Sequence, residues 1–233
     1  MSAEIAISHI ERLDLTFAPQ PWAYALDRRA EIDAFFATQQ RAKPALWNGR
    51  VLLLHRHRLE GGVLRGAFLE TDFASFTAWR HRDRPPAGVT DCFGAAAVLS
   101  VDGAFVVGVM AAHTANAGRI YFPCGTPDPG DIVDGRVDFD RSIARELKEE
   151  TGLAIDAFDC EPGWTAVGTP GQIALIKVAR TGEGATALRA RILDYLARQR
   201  QPELADIRLV RGPADLDPAM PAFMTAFLES RWG

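Results

Sequence analysis

Residues 140–152 spell a helix that works against itself. Asp140 stands where a start cap belongs and Gly152 where a helix stops. Ile143 and Leu147 are four apart and point into a core. Glu146, Glu149 and Glu150 are three and four apart, so they share a face. Like charges at that spacing weaken a helix by roughly 0.2–0.5 kcal/mol per pair. A folded protein keeps such a cluster readily when a divalent cation sits against it. Mg²⁺ favours carboxylate oxygen and works together with substrate phosphates.

The stretch around these acids matches a known pattern. Arg145-Glu-Leu-Lys-Glu-Glu-Thr-Gly-Leu153 follows Arg-Glu-apolar-x-Glu-Glu-x-Gly-apolar without a mismatch. That is the helical half of the Nudix box, which this chain resembles. At frequencies of roughly 5–8% per residue type, chance would produce such a run on the order of once in ten million starts. The first half of the box is Gly, five residues, then an acid. Gly125 to Asp131 resembles it, with Asp where the family usually has Glu. Phe122-Pro-Cys-Gly125 is similar to the strand end and Gly-Gly turn that precede it, with Cys124 replacing one glycine. One departure stands out. The family has seven residues between acid and arginine, whereas this chain has thirteen, Ile132 to Ala144. The excess reads as a six-residue insertion around Asp134-Gly-Arg136.

The resemblance implies an α/β/α sandwich with a mixed sheet, and a pyrophosphohydrolase dependent on Mg²⁺ or Mn²⁺. It makes Glu146, Glu149 and Glu150 metal ligands, with the carbonyl of Gly125 as a further one. It makes Arg145, Glu146 and Glu149 the catalytic set. Arg145 would point away from the metal and orient a carboxylate, Asp131, through a bidentate pair. The general base stays open between a box glutamate and an acid from a later loop, of which Glu203 is the best placed. Gly125 and Trp47 are the substrate-binding candidates. Lys43-Pro-Ala-Leu-Trp-Asn48 and Thr71-Asp-Phe-Ala-Ser-Phe76, ahead of the box, look like a subgroup of larger Nudix proteins. One animal member of similar layout hydrolyses UDP-sugars. The substrate expected is therefore a small nucleoside diphosphate linked to another moiety, with nucleotide sugars ranked first. Two rivals remain. One is a Nudix-fold sensor that binds a nucleotide without turning it over. The other is a Nudix enzyme for dinucleotides or RNA 5′ ends, stacking bases on Trp47 and Trp79.

Composition bounds the rest. The 233 residues are 48% hydrophobic and 24% charged, an ordinary globular mixture. A net charge of −4 argues against a nucleic-acid partner. Cys92, Cys124 and Cys160 are too scattered for a disulfide framework or a zinc site, which points to a reducing compartment, the cytoplasm. No signal peptide is evident at the start, and no stretch approaches the roughly 18 apolar residues of a membrane span.

Residues 1–90 read as a small N-terminal α/β lobe and residues 91–233 as the Nudix domain. In the lobe the patterns predict short strands within 5–17 and a helix over 28–42. They predict a hairpin of 50–60 and 63–71 around Gly61-Gly62, and a helix over 73–81. In the second part they predict strands at 92–99, 104–110, 120–122, 154–158, 165–167, 173–178 and 207–210, and helices at 185–200 and 218–232. Periodicity alone gives α/β or α+β. His55-Arg-His-Arg58 reads as a half-exposed strand face and Trp79-Arg-His-Arg82 as a packed tryptophan with solvated arginines. The lobe, or the partner subunit of a homodimer, would supply the walls that select the substrate.

Overall fold

The computed structural model of the chain describes residues 5–44 and 46–232. The first segment holds β1 (Ala6–Ile10), β2 (Arg12–Phe17), α1 (Ala23–Asp27), α2 (Arg29–Ala42), β3 (Arg50–Glu60), β4 (Val63–Asp72) and α3 (Phe73–His81). Then come β5 (Asp91–Leu99), β6 (Phe105–Met110), β7 (Ile120–Tyr121), β8 (Cys124–Gly125), β9 (Ile132–Val133), β10 (Arg136–Val137) and α4 (Phe139–Thr151). The chain ends with β11 (Asp159–Cys160), β12 (Trp164–Thr169), β13 (Gln172–Arg180), α5 (Ala185–Leu196), β14 (Leu204–Val210) and α6 (Ala222–Trp232). Among the described residues no helix is long and apolar enough to cross a membrane.

The fold is mixed α/β, built on two mixed sheets. The larger has the order β1-β12-β13-β5-β6-β14, with β11, β7 and β8 paired onto its members. The smaller has the order β3-β4-β2-β10-β9. β13 runs parallel to β5, and β2 to β4. Every residue of β5 is buried, as expected for a strand covered on both faces. On one face Leu188, Ile192 and Leu196 of α5 and Phe223, Met224, Phe227 and Leu228 of α6 close the core. On the other lie α4 and the small sheet, which share Leu15, Leu52, Leu54, Phe68, Phe139, Ile143, Trp164 and Leu175 in one apolar cluster. The outer face of the small sheet is covered by the helices of the first segment, through Trp22, Ile32, Phe36, Phe76 and Trp79.

The first 90 residues thus divide between the sheets. β1 is an edge strand of the large one, pairing Ala6 with Gly168 through Ile10 with Trp164. The hairpin turns at Gly61-Gly62, both with positive φ (55° and 70°), the conformation a tight hairpin needs. A register shift between Leu54 and Arg56 interrupts the alternation expected of the histidine-arginine run.

Three local expectations need correction. The cap of α4 is Asp138, whose side chain accepts from the Arg141 N–H at 3.0 Å, and Asp140 lies inside the first turn. Residues 155–157 form a 3₁₀ turn where a strand was expected, and pairing resumes only at Asp159–Cys160. The last helix starts at Ala222, after Pro221, rather than at Pro218.

The box insertion is a two-residue hairpin. Asp134 and Gly135 both have positive φ, 48° and 73°, as in a type I′ turn. At its base the Asp138 N–H donates to the Asp131 carbonyl at 2.9 Å. Ile132–Val137 therefore leaves and re-enters the box at one point, and the seven residues 138–144 remain between the closed loop and Arg145. The hairpin edges the small sheet through Arg136–Thr16 pairing, with an Arg136–Asp14 ion pair at 2.8 Å and Val137 buried. Joining Asp131 directly to Asp138 should keep the site but cost about 1.5–3 kcal/mol, the burial of one valine side chain. A thermal melt should show a loss of several degrees, with more than a tenth of the turnover left. Loss of all turnover in a folded variant would mean that the hairpin serves the chemistry itself.

Candidate active site

α4 lies close on the large sheet because β5 has a glycine beneath it. A Cβ on Gly94 would come within 2.6 Å of Ile143 Cγ2. β8 pairs with β5 at the same place, Gly94 opposite Gly125 and Ala95 opposite Cys124. This brings Gly125 under the first glutamate of the helix, so that a Cβ on Gly125 would clash with the Glu146 carboxylate. The glycine is required by close approach rather than by its backbone angles. Gly125→Ala should cut turnover at least tenfold by displacing Glu146, while the melting temperature moves by only a few degrees. Kinetics and melting of the same preparation check this. An unimpaired alanine variant would mean that the position of Glu146 is immaterial.

The acids differ in setting. Glu146 and Glu150 line a cleft of about 1070 Å³, together with Asp128 and Glu203. Glu150 is 4% exposed, and its Oε2 has no hydrogen-bond partner. Burial pushes the Glu146 carboxyl up to about 7, with Glu149 and Glu203 adding repulsion and Arg145 pulling it down. Burial pushes Glu150 up as well, reinforced by Glu146 and Glu203 and opposed by a hydrogen bond from the Cys124 backbone. Glu149 stands apart, with a side chain 62% exposed, 3.5 Å from Arg145. Helical geometry explains the split. Residues 146 and 150 are separated by about 40° around the axis, while 149 and 150 are about 100° apart.

Arg145 joins the two halves of the box. Its guanidinium donates to Asp131 from Nη2 at 2.9 Å and from Nε at 3.4 Å, the bidentate pair expected. It is not turned away from the glutamates, since Nη1 donates to Glu146 Oε1 at 2.7 Å. Asp131 is fully buried and also accepts from the Asp128 N–H at 3.1 Å. Burial disfavours the arginine's charge, but Asp131 and Glu146 outweigh that and raise its pKa.

Among the described residues no three acidic, thiol or imidazole groups already stand together at metal-ligand spacing. The residues present nevertheless fit a divalent cation. The buried Glu150 with its unpartnered oxygen and the partly buried Glu146 both have raised pKa values, Arg145 offsets only part of their charge, and oxygen donors suit a hard ion. The carbonyl-bearing Gly125 and the exposed Glu149 flank them.

The rest of the cleft is mixed. Trp47 lines it while remaining 80% exposed, its indole lying over Gly49, where a Cβ would approach it within 2.6 Å. Trp79 is fully buried, as its packed reading expects. Arg80, one of the arginines read as solvated, instead lines the cleft. It donates to Asn116 Oδ1 at 2.9 Å and lies over the Phe76 ring. Asn116 in turn donates to the Tyr121 hydroxyl at 2.9 Å. Arg50, Arg84, Arg119, Asp91 and Gln172 complete the polar wall. Sequence reasoning missed these residues, and only Asp91, a lone charge opening an apolar run, carried a local signal.

No protein-family model matches the chain, and no curated protein is significantly similar to it. Among solved structures it is similar to the MutT protein of Methanosarcina mazei Go1, at 20% identity and a TM-score of 0.42, over 60% of this chain and 91% of that one. It is similar to the Nudix hydrolase RenU of M. smegmatis at 15% identity and a TM-score of 0.39, over 60% and 81% of the two chains. A bifunctional NMN adenylyltransferase/ADP ribose pyrophosphatase of Francisella tularensis aligns at 13% identity and a TM-score of 0.37, over 59% of this chain and 38% of that one. What bears on function is the box itself. Strand end, acid-bearing loop and glutamate helix meet through Gly125, Asp131, Arg145 and Glu146, and in these residues the chain resembles the Nudix hydrolases.

Proposed function

We propose that the protein is a divalent-metal-dependent pyrophosphohydrolase. Its substrate would be a nucleoside diphosphate linked to a second moiety, a nucleotide sugar being the first choice. The observation that carries this reading is the pair Glu146 and Glu150. Glu150 is buried with one oxygen unpartnered, and Glu146 beside it is largely enclosed and shares its one cation, Arg145, with Asp131, in a cleft whose other wall is rich in arginine and aromatic side chains. Glu146 and Glu150, with Glu149 and the Gly125 carbonyl, would hold Mg²⁺ or Mn²⁺. Such an ion, when bound, offsets charge on diphosphate oxygens and acidifies a water. Arg145 fixes the Glu146 carboxylate and locks the loop through Asp131. Trp47 offers a face on which a base can stack. Glu203 is our choice of general base. Its side chain is exposed in the cleft, and no cation lies within salt-bridge distance among the described residues. Water oxygen would bond to phosphorus as the bridging P–O bond breaks, giving a nucleoside monophosphate and a phosphorylated second moiety. The free thiols of Cys92, Cys124 and Cys160 fit a reducing, cytoplasmic setting.

The test is a panel of UDP-sugars, ADP-ribose, NADH, dinucleoside polyphosphates and dNTPs with Mg²⁺ or Mn²⁺, analysed for monophosphate products. Turnover of one class, abolished by chelator, is the expected result. Binding without turnover across the panel would favour a nucleotide sensor.

A further inference from the structure

Strand β5 opens on a carboxylate with incomplete bonding. Asp91 is 1% exposed, and its Oδ2 accepts from Arg84 Nη2 at 3.3 Å and from Gln172 Nε2 at 3.2 Å. Charge-assisted bonds between such groups are usually about 2.7–2.9 Å, so both contacts are loose. Asp91 Oδ1 and Arg84 Nε have no partner at all. Unmade bonds of buried polar groups cost about 1–3 kcal/mol each, and native proteins contain few.

The backbone leaves α3 beside this cluster through two left-handed residues, with the Asp83 N–H on the Arg80 carbonyl and the Arg84 N–H on the Trp79 carbonyl. Asp83 and Arg84 both have positive φ, 56° and 49°, a conformation that costs non-glycine residues roughly 1–2 kcal/mol each. Gly171, also at positive φ (71°), lets the loop come close, since a Cβ there would lie 2.9 Å from Arg84 Cβ. Strain combined with unmet bonding at one spot is a mark of a functional site. Asp91, Arg84 and Gln172 all line the cleft that holds Glu146 and Glu150.

Register gives the distance. Asp91 precedes Gly94 by three positions on β5, and Gly94 pairs with Gly125 beneath Glu146. At about 3.3 Å per residue, Asp91 lies roughly 10 Å along the strand from the acids. A ring joined to a diphosphate at the acids would span such a gap. A ligand group that completes this bonding would donate to the Asp91 carboxylate and accept from the Arg84 guanidinium at the cleft wall. A hydroxyl does both. A terminal phosphate, mostly dianionic near neutral pH, is repelled by the Asp91 carboxylate, and an apolar group offers neither bond.

We infer that Asp91, Arg84 and Gln172 form a subsite for the hydroxyl groups of a sugar ring carried on the diphosphate. The inference rests on the pyrophosphohydrolase reading for where the diphosphate lies. Binding without turnover tests it. Calorimetry in chelator would compare UDP-glucose, ADP-ribose and GDP-mannose with the β-methyl esters of UDP, ADP and GDP, which keep the charge and lack the ring. At least one sugar nucleotide should bind tenfold or more tightly than its methyl ester. That ratio should fall below threefold in Asp91→Ala and Arg84→Ala, with methyl-ester affinity unchanged within twofold. If Asp91→Ala does not fold, the partly exposed Arg84→Ala decides alone. A ratio of one throughout, no binding of any sugar nucleotide, or an unchanged ratio in the variants overturns the inference and leaves a structural cluster. Metal-dependent hydrolysis with a ratio of one would remove the subsite and leave the proposed activity standing. A protein that hydrolyses nothing still passes or fails on the ratio.

Discussion

Glu150→Gln is expected to lower turnover by two to three orders of magnitude while raising the melting temperature of the metal-free protein. The two effects share one cause. Glu150 is buried beside Glu146, with Glu203 adding repulsion, so its charge is unfavourable until a cation arrives. Glutamine keeps the volume and removes the charge. It also removes a ligand, and losing one electrostatic contact to a developing phosphate charge costs about 10²–10³ in rate. The sign of the pH dependence follows from linkage. An acid whose folded pKa lies above its unfolded value binds more protons when folded, so stability falls as pH rises between the two. For Glu146 that window runs from its ordinary value of 4.5 to about 7. In chelator the wild-type melting temperature should therefore decline across this window by roughly 5 °C or more. Glu146→Gln should flatten the decline, and Mg²⁺ should reverse it by binding only the folded state. Full turnover in the glutamine variant, or a melting temperature that rises with pH in chelator, would remove the acid pair from the mechanism.

Arg145→Ala should damage both rate and fold. The arginine is the one cation within salt-bridge distance of Asp131 among the described residues, and that carboxylate is fully buried. Removing one partner of a buried pair costs roughly 3–5 kcal/mol. Because Arg145 itself is 29% exposed, the lower end applies, about 3 kcal/mol. That corresponds to about 6–12 °C of melting temperature in a chain of this size. Turnover should fall further still, because Glu146 loses its 2.7 Å contact in the same stroke. Lysine has one compact charge and cannot hold Asp131 and Glu146 together, so Arg145→Lys should recover part of the stability and little of the rate. Paired melting and initial-rate measurements separate these outcomes. A lysine variant with most of its rate would show that the fork geometry is dispensable.

Features that lie within a turn or two of chain were legible from the residues alone. Ile143 and Leu147 set the buried face of α4, and Gly152, at a φ of 72°, ends it because only glycine adopts that angle freely. Gly61-Gly62 set the β3–β4 hairpin for the same reason. The pairing of Arg145 with Asp131 was legible too, through a pattern that the chain resembles. Tertiary structure decided the rest. Three glutamates at helical spacing look equivalent in sequence, yet only Glu146 and Glu150 face the cleft, because the rotation of α4 is fixed by its seat on Gly94. The thirteen-residue spacing looks disruptive until Asp138 bonds to Asp131 and closes the hairpin at its base. Asp91 and Gln172 meet across 81 positions of sequence, because β13 runs parallel to β5. Such contacts depend on which strands pair and how closely layers approach, and no window of local residues encodes either.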